Sequence, residues 1–261
     1  MRHHEEAIAA FTESQLARPE ALGVVVVGSV ARGDERPDSD VDVYLVVTDE
    51  AYAAAADSGR VAYVTTAGVA YEGGYLDVKL ASPGYLRAAL DHGDDPTRAS
   101  FDGGRVTLDR LGDLEQQVRQ MADLPAAVWA RRVRTYRAQL ALYGRYFLVQ
   151  AADRGDSFLL QHSAVHSALA AGRCALAHHR QLFRGQKYLA ADLHRLDELP
   201  QGFLHAWSAV LHTPTPQAAR ELTAVIDDWL GEPLTGDEAL SDFIAANELA
   251  WLNHTIPPEY W

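Results

Sequence analysis

Apolar positions recur with a period near two along much of the first 110 residues and with a period near 3.6 along the rest, so a strand-rich segment precedes a helical one. The chain opens with Ala7, Ile8, Phe11 and Leu16 at helical spacing between His4 and Ala17, and Glu5 and Glu6 near the start suit the helix dipole. Pro19 and Gly23 end that helix. Two β-branched runs follow at residues 24–27 and 41–47, separated by Gly28-Ser29, a short helix expected at 30–32 and a polar loop at 33–39. Thr48 or Asp49 caps an alanine-rich helix to about residue 58. Residues 61–66 read as a strand, residues 68–74 turn the chain, and residues 75–80 alternate with Leu76, Val78 and Leu80 on one side and Tyr75, Asp77 and Lys79 on the other. Pro83-Gly84 opens a helix to about residue 90, and residues 99–108, around Asp102-Gly103-Gly104, are expected to form a hairpin that closes the sheet.

From residue 114 the pattern is helical over 114–121, 125–152, 157–179, 193–196, 202–211, 216–230 and 237–253. Breaks at Asp153-Arg154-Gly155-Asp156, Gly185, Pro200, Pro214 and Gly231 separate these segments into a bundle of about five or six helices. The predicted fold class is therefore α+β: a small mixed-sheet domain over 1–112 followed by an all-α helical bundle domain over 113–261.

Composition narrows the function. Hydrophobic residues at 48% and charged residues at 23% are those of a globular protein. No apolar run is long enough to span a bilayer and MRHHEEAIAA carries no apolar signal segment, so a cytoplasmic protein without a membrane partner is expected. The single cysteine, Cys174, excludes an intramolecular disulfide and a cysteine-based zinc cluster, and its place in an apolar helix reads as a buried thiol. A net charge of −13 argues against a nucleic-acid surface, and it either attracts a cationic small substrate or serves solubility. Of 23 basic residues only Lys79 and Lys187 are lysines, which draws attention to both.

The chemistry concentrates at the second valine run. Asp40 and Asp42 stand two apart at the entrance of a strand, so both carboxylates project into one space while Val41 and Val43 point into the core. Paired carboxylates repel unless a cation lies between them, and hard oxygen ligands on one edge suit Mg²⁺ carrying substrate phosphates. Gly28 lets backbone approach a phosphate and Ser29 adds a hydroxyl and an N–H. Arg32 either reaches a phosphate or pairs with Asp34. His162 and His166 share a helix face at zinc-ligand spacing, yet no third ligand follows in a recognisable signature, so they read as core or interface histidines.

Val27-Gly28-Ser29, followed by Asp40-Val41-Asp42-Val43 with strands on both sides, resembles the nucleotidyltransferase superfamily with the polymerase-beta-like fold. The layout, an α/β domain and then helices, resembles the aminoglycoside-type adenylyltransferases, although only the first half rests on a specific motif. The resemblance implies Mg²⁺-dependent transfer of an NMP, with AMP from ATP expected among the NTPs, to a hydroxyl of a small acceptor, a cationic one such as an aminoglycoside-like antibiotic being one candidate, with pyrophosphate released. It implies Asp40 and Asp42 as metal ligands, Gly28 and Ser29 as the phosphate cradle, Ser39 as an added hydroxyl, and Asp77 as a third ligand or the general base. Lys79 would contact a phosphate or balance the acids, and Lys187 in the helical half would reach the triphosphate or simply sit at the surface. In such enzymes the substrate occupies the cleft between domains, where Glu248, Trp251 and Tyr260 are further candidates. A monomer or homodimer is expected. The rival readings are a nucleotidyltransferase acting on a protein hydroxyl, in a toxin–antitoxin or regulatory system, and a non-catalytic nucleotide-binding module. Arg173 and His178 also stand at a spacing seen in HEPN ribonuclease-type helical domains, a spacing that arises easily by chance.

Overall fold

The two valine runs pair with each other at the centre of a five-stranded sheet, in a computed structural model that describes residues 1–258. The first unit, Met1–Leu124, contains α1 (Arg2–Leu16), β1 (Ala21–Val27), the short helix α2 (Gly28–Arg32), β2 (Val41–Val47), α3 (Asp49–Asp57), β3 (Ala62–Thr65), β4 (Leu76–Ala81), α4 (Pro83–His92), α5 (Asp95–Ser100), β5 (Arg105–Asp109) and α6 (Leu114–Gln120). Strand order is β3-β4-β2-β1-β5, antiparallel except for the parallel pair β2 and β4, whose crossover contains α3 and β3.

Both faces of this sheet are covered, which is why β1 reads as an unbroken apolar run. On one face Val24, Val26, Val41, Val43 and Leu45 pack with Ile8 and Phe11 of α1 and Val30 of α2. On the other, Val25, Val27, Tyr44 and Val46 meet Leu86 and Ala89 of α4, Phe101, and Leu114 and Val118 of α6. The first helix follows its predicted pattern except at its end, where Gln15 is buried and Leu16 is 54% exposed.

Residues 99–108 depart from the expected hairpin. Asp94 accepts a hydrogen bond from the Thr97 N–H at 2.8 Å and Pro96 lies in the first turn, so the Asp-Pro pair starts α5 instead of only breaking α4. The buried Arg98 guanidinium then donates to the carbonyls of Gly93, Leu90 and Met121, tying α4, α5 and the end of α6 together. A single strand, β5, remains and pairs with β1. The helix α6 belongs to the sheet, because Leu114, Val118 and Met121 bury against it; the division of the chain consequently falls after Leu124 and not after residue 112. Periodicity at residue 114 announces a helix without saying which core receives it.

The second unit begins at Pro125. It consists of α7 (Ala126–Leu140), a π-helical stretch Ala141–Phe147, α8 (Leu148–Arg154), α9 (Ser157–His178), α10 (Gln186–Arg195), α11 (Phe203–His212), α12 (Pro216–Leu230) and α13 (Gly236–Ala246), with a closing 3₁₀ turn Ala250–Asn253. Small residues on α9, among them Ala164, Ala168, Ala171, Cys174 and Ala175, are fully buried and let neighbouring helices approach closely. Burial pushes the Cys174 thiol up to about 12, consistent with an inert structural group. Arg173 is also buried, donating to the Pro258 carbonyl at 3.1 Å and to the Tyr136 hydroxyl, with its guanidinium over the Tyr136 and Phe183 rings. It braces the bundle. The helix α10 is much longer than the predicted 193–196, since Gly185 at φ 108° lets it start at the polar Gln186-Lys187, where apolar periodicity is silent. No helix among the described residues is long and apolar enough to cross a membrane.

Phe101 is wholly buried and stacks on Tyr44 with ring centroids 4.3 Å apart. Phe101→Ala is expected to lower stability by about 3–5 kcal/mol, measured by chemical denaturation, as truncation of a core aromatic does; a loss below about 1 kcal/mol would show that α5 is not needed to cover the sheet.

Candidate active site

Three carboxylates gather at one end of the central strands because of strand register. Asp42 pairs opposite Val27 on one side and opposite Asp77 on the other, so Asp42 and Asp77 project from adjacent strands onto the same face. Asp40 lies two residues before Asp42. This is the sheet face that carries Tyr44, Val46 and the α4–α6 layer, and at this end Asp42 is half-buried.

Gly28 closes the other wall. Its φ of +71° lies in the left-handed region, and a Cβ there would collide with the Asp42 carboxylate. Backbone and carboxylate are therefore in contact at the turn between β1 and α2. The Ser29 hydroxyl has no protein partner among the described residues, while the Ser29 carbonyl accepts the Asp34 N–H at 2.9 Å and shapes the start of the loop.

Electrostatics at Asp42 are unfavourable for its ionised form. Burial first, and then the neighbouring Asp40 and, more weakly, Asp77, raise its pKa above the ordinary 3.8, against partial relief from Lys79 and Arg32. No hydrogen-bond donor reaches the Asp42 side chain among the described residues. A half-buried carboxylate with two acidic neighbours and no donor is a hard-oxygen edge suited to a small divalent cation. Among the described residues no three His, Cys, Asp or Glu side chains stand close enough together to hold a metal ion by themselves.

The remaining acids have protein partners. Lys79 Nζ lies 3.7 Å from Asp77 Oδ2. Tyr75, placed on the Asp77 side but not singled out as a site residue from the sequence, stands beside these acids: hydrogen bonding toward Asp40 first, and then the charges of Asp40, Asp77 and Asp42, raise its pKa. The alternation that placed Tyr75 on the Asp77 side was the available signal.

Ser39 is buried, and its hydroxyl accepts the Arg36 N–H at 2.9 Å within its own loop. Its carbonyl accepts both the Tyr71 hydroxyl, at 2.8 Å, and His4 Nε2, at 3.1 Å, which assigns the Nε2–H tautomer to His4. The backbone just before Asp40 is thus fastened to α1. Arg32 makes a long ion pair with Asp34, 3.7 Å, and its buried Nε has no hydrogen-bond partner. Lys187 stands on α10 in the second unit with its ammonium 5.4 Å from the Tyr188 ring centroid. His162 and His166 pack ring to ring at 4.2 Å beside Tyr143, without a third ligand among the described residues. Trp251 is 69% exposed, and Tyr260 lies outside the described residues.

Known proteins share features with this chain. A family described as "Nucleotidyltransferase domain" matches residues 13–131, a span that contains β1 to β5 and all three carboxylates. Among solved structures, the chain is similar to a nucleotidyltransferase-like protein from Exiguobacterium sibiricum 255-15, with 11% identity and a TM-score of 0.47, covering 95% of this chain and 78% of that one. No curated protein matches.

Two substitutions test the geometry. Gly28→Ala is expected to destabilise the fold by roughly 1–2 kcal/mol from the left-handed backbone alone, with further loss from displacement of Asp42; unchanged denaturation would contradict the close approach. Burial first, with the charge of His3 next, depresses the His4 pKa below 6.5. The unfolded chain takes up this proton near 6.5 and the folded chain only at lower pH, so stability falls as pH drops through that window. His178 is depressed likewise and adds a slope of the same sign. His4→Gln, which keeps a donor for Ser39, should therefore reduce the acid slope measured by denaturation between pH 7 and pH 5 (roughly the titration range of histidine); equal slopes in the two proteins would exclude a buried neutral His4.

Proposed function

We propose that this chain, whose residues 13–131 match a nucleotidyltransferase domain family, moves an NMP from a Mg²⁺-bound NTP to a hydroxyl of a small acceptor and releases pyrophosphate. The observation that carries the reading is the Asp42 carboxylate, half-buried, beside two acids and in contact with a positive-φ glycine turn. Asp40 and Asp42 would hold Mg²⁺, which when bound neutralises phosphate charge. Gly28 and Ser29 offer unobstructed backbone and a hydroxyl without a protein partner to the phosphate oxygens, and Arg32 and Lys79 add positive charge beside the acids.

Asp77 supports the acceptor's side of the chemistry. Its partner is Lys79, and its place beside Asp42 on the adjacent strand suits either a third metal ligand or a base that takes the acceptor's proton; we take it as the base. The acceptor oxygen attacks the α-phosphorus, the bond from that phosphorus to the bridging oxygen breaks, and its electron pair leaves on pyrophosphate while the hydroxyl proton passes to Asp77. Most of the rate would come from in-line positioning and neutralisation of charge. The net charge of −13 supports a cationic acceptor, and AMP with an aminoglycoside-like antibiotic is the first pair to assay.

Pyrophosphate release is measured with Mg²⁺, each NTP and a pool of aminoglycosides, lincosamides and other hydroxyl-bearing metabolites. One acceptor should be required, and Asp42→Asn should lower turnover by more than about 100-fold, beyond what loss of an outer-shell metal partner costs, with the fold intact by circular dichroism. Because the Asp42 pKa is raised and Mg²⁺ competes with its proton, the acid limb of activity should lie above 3.8 and move to lower pH as Mg²⁺ increases. Wild-type turnover in Asp42→Asn would overturn the reading.

A further inference from the structure

The second unit contains a cavity of about 400 Å³ whose wall includes the π-helical stretch. A π-helical segment inside a longer helix frequently accompanies a functional site. Here it places Tyr143 and Phe147 on the cavity together with Phe243 of α13, and the three rings form one cluster with centroids 5.6 to 6.1 Å apart. Aromatic faces carry negative electrostatic potential, so this wall favours an apolar body or a cation.

The polar side chains lining the cavity are Asn247, Glu248 and His162, and the first two offer oxygen acceptors. Asn247, 8% exposed, donates its amide N–H to the Phe243 carbonyl at 2.9 Å, which fixes the orientation of the side chain. Its Oδ1 is buried and has no hydrogen-bond partner. An orphaned buried acceptor is costly and invites a donor from a ligand. Glu248, the next residue, lines the same cavity and has no cation among the described residues. Arg145 lines the neighbouring cavity, which shares Phe147, Phe243 and Glu248, but its guanidinium is engaged by Asp227. Carboxylate, amide oxygen and ring faces thus converge with no lysine or arginine in the lining.

We propose that this cavity is a binding site for an organic amine with an apolar framework: a protonated primary or secondary amine donates to Asn247 Oδ1 and pairs with Glu248 while its framework lies against Phe147 and Phe243. An anion would face the Glu248 carboxylate and the Asn247 acceptor with His162 alone to offset them, and a neutral apolar molecule would leave Asn247 Oδ1 unsatisfied. The assignment is independent of the transfer chemistry, and its test reads binding alone.

The probes are 4-phenylbutylamine and its neutral counterpart 4-phenylbutanol, titrated calorimetrically into the full chain. The amine is expected to bind at least about tenfold more tightly than the alcohol, a difference one charge-assisted hydrogen bond supplies. Glu248→Gln, at an exposed position where folding is not at risk, should remove most of that preference while leaving alcohol binding unchanged. Asn247→Leu, which removes the orphaned acceptor at similar volume, should weaken amine binding while leaving alcohol binding less affected. Equal affinity for amine and alcohol, no binding of either, or an amine preference that survives Glu248→Gln would each overturn the proposal.

Discussion

A carboxylate drawn partly out of water beside two others is held ionised only against opposition, and the N-terminal unit is arranged so that Asp42 has no escape from that condition. It stands on the central strand of the sheet, fixed by pairing on both sides, with the backbone of Gly28 directly against it. Lys79 and Arg32 soften the repulsion without cancelling it. The tension is local, and the surroundings are rigid enough to sustain it: valines and leucines fill both faces of the sheet behind the acids. Folding free energy from that core holds in place a group whose own preference is to take up a proton.

The two units place chemistry in different ways. In the first, period-two geometry aims side chains from rigid strands, and helices only cover the faces. In the second, a departure from regular helix matters more, because seven residues wound as a π-helix turn Tyr143 and Phe147 toward α13 at a position where an uninterrupted α-helix would place them elsewhere. Glycine at position 144 lies close to Thr223, Ser167 and Ala219 and permits that packing.

Much of the first unit was legible from sequence because its signals are local. Two β-branched runs, a Gly-Ser turn and alternation in Tyr75 to Leu80 suffice to put Asp42 and Asp77 on strands with Asp40 just before the first of them, and the parallel register that brings Asp77 beside Asp42 is consistent with that alternation. What was hidden depends on partners far away in sequence. The Ser39 carbonyl is claimed by His4 and Tyr71, 35 and 32 residues distant, and no local pattern announces such a bond. Likewise α6 has an ordinary helical period, and only the sheet face left open by α4 and α5 decides where it packs. The Asp-Pro pair at the head of α5 was visible yet ambiguous, since the same residues end one helix and begin the next. The π-helical stretch has no signature in apolar periodicity over so short a length.

The four-residue strand β3 has a consequence beyond its size. It hydrogen-bonds β4 antiparallel, with Val64 opposite Asp77, and its own outer side is the edge of the sheet, where Tyr63 and Val64 are 38% and 63% exposed. Without it the strand bearing Asp77 and Lys79 would itself be the edge, with one row of backbone amides open to exchange with solvent and free to fray. By taking the edge, β3 makes itself the part that opens first, and the acid-bearing strand stays among the slowly exchanging amides of the unit. The shortness that makes β3 a poor template for another chain is thus compatible with its service as a guard rail for the site.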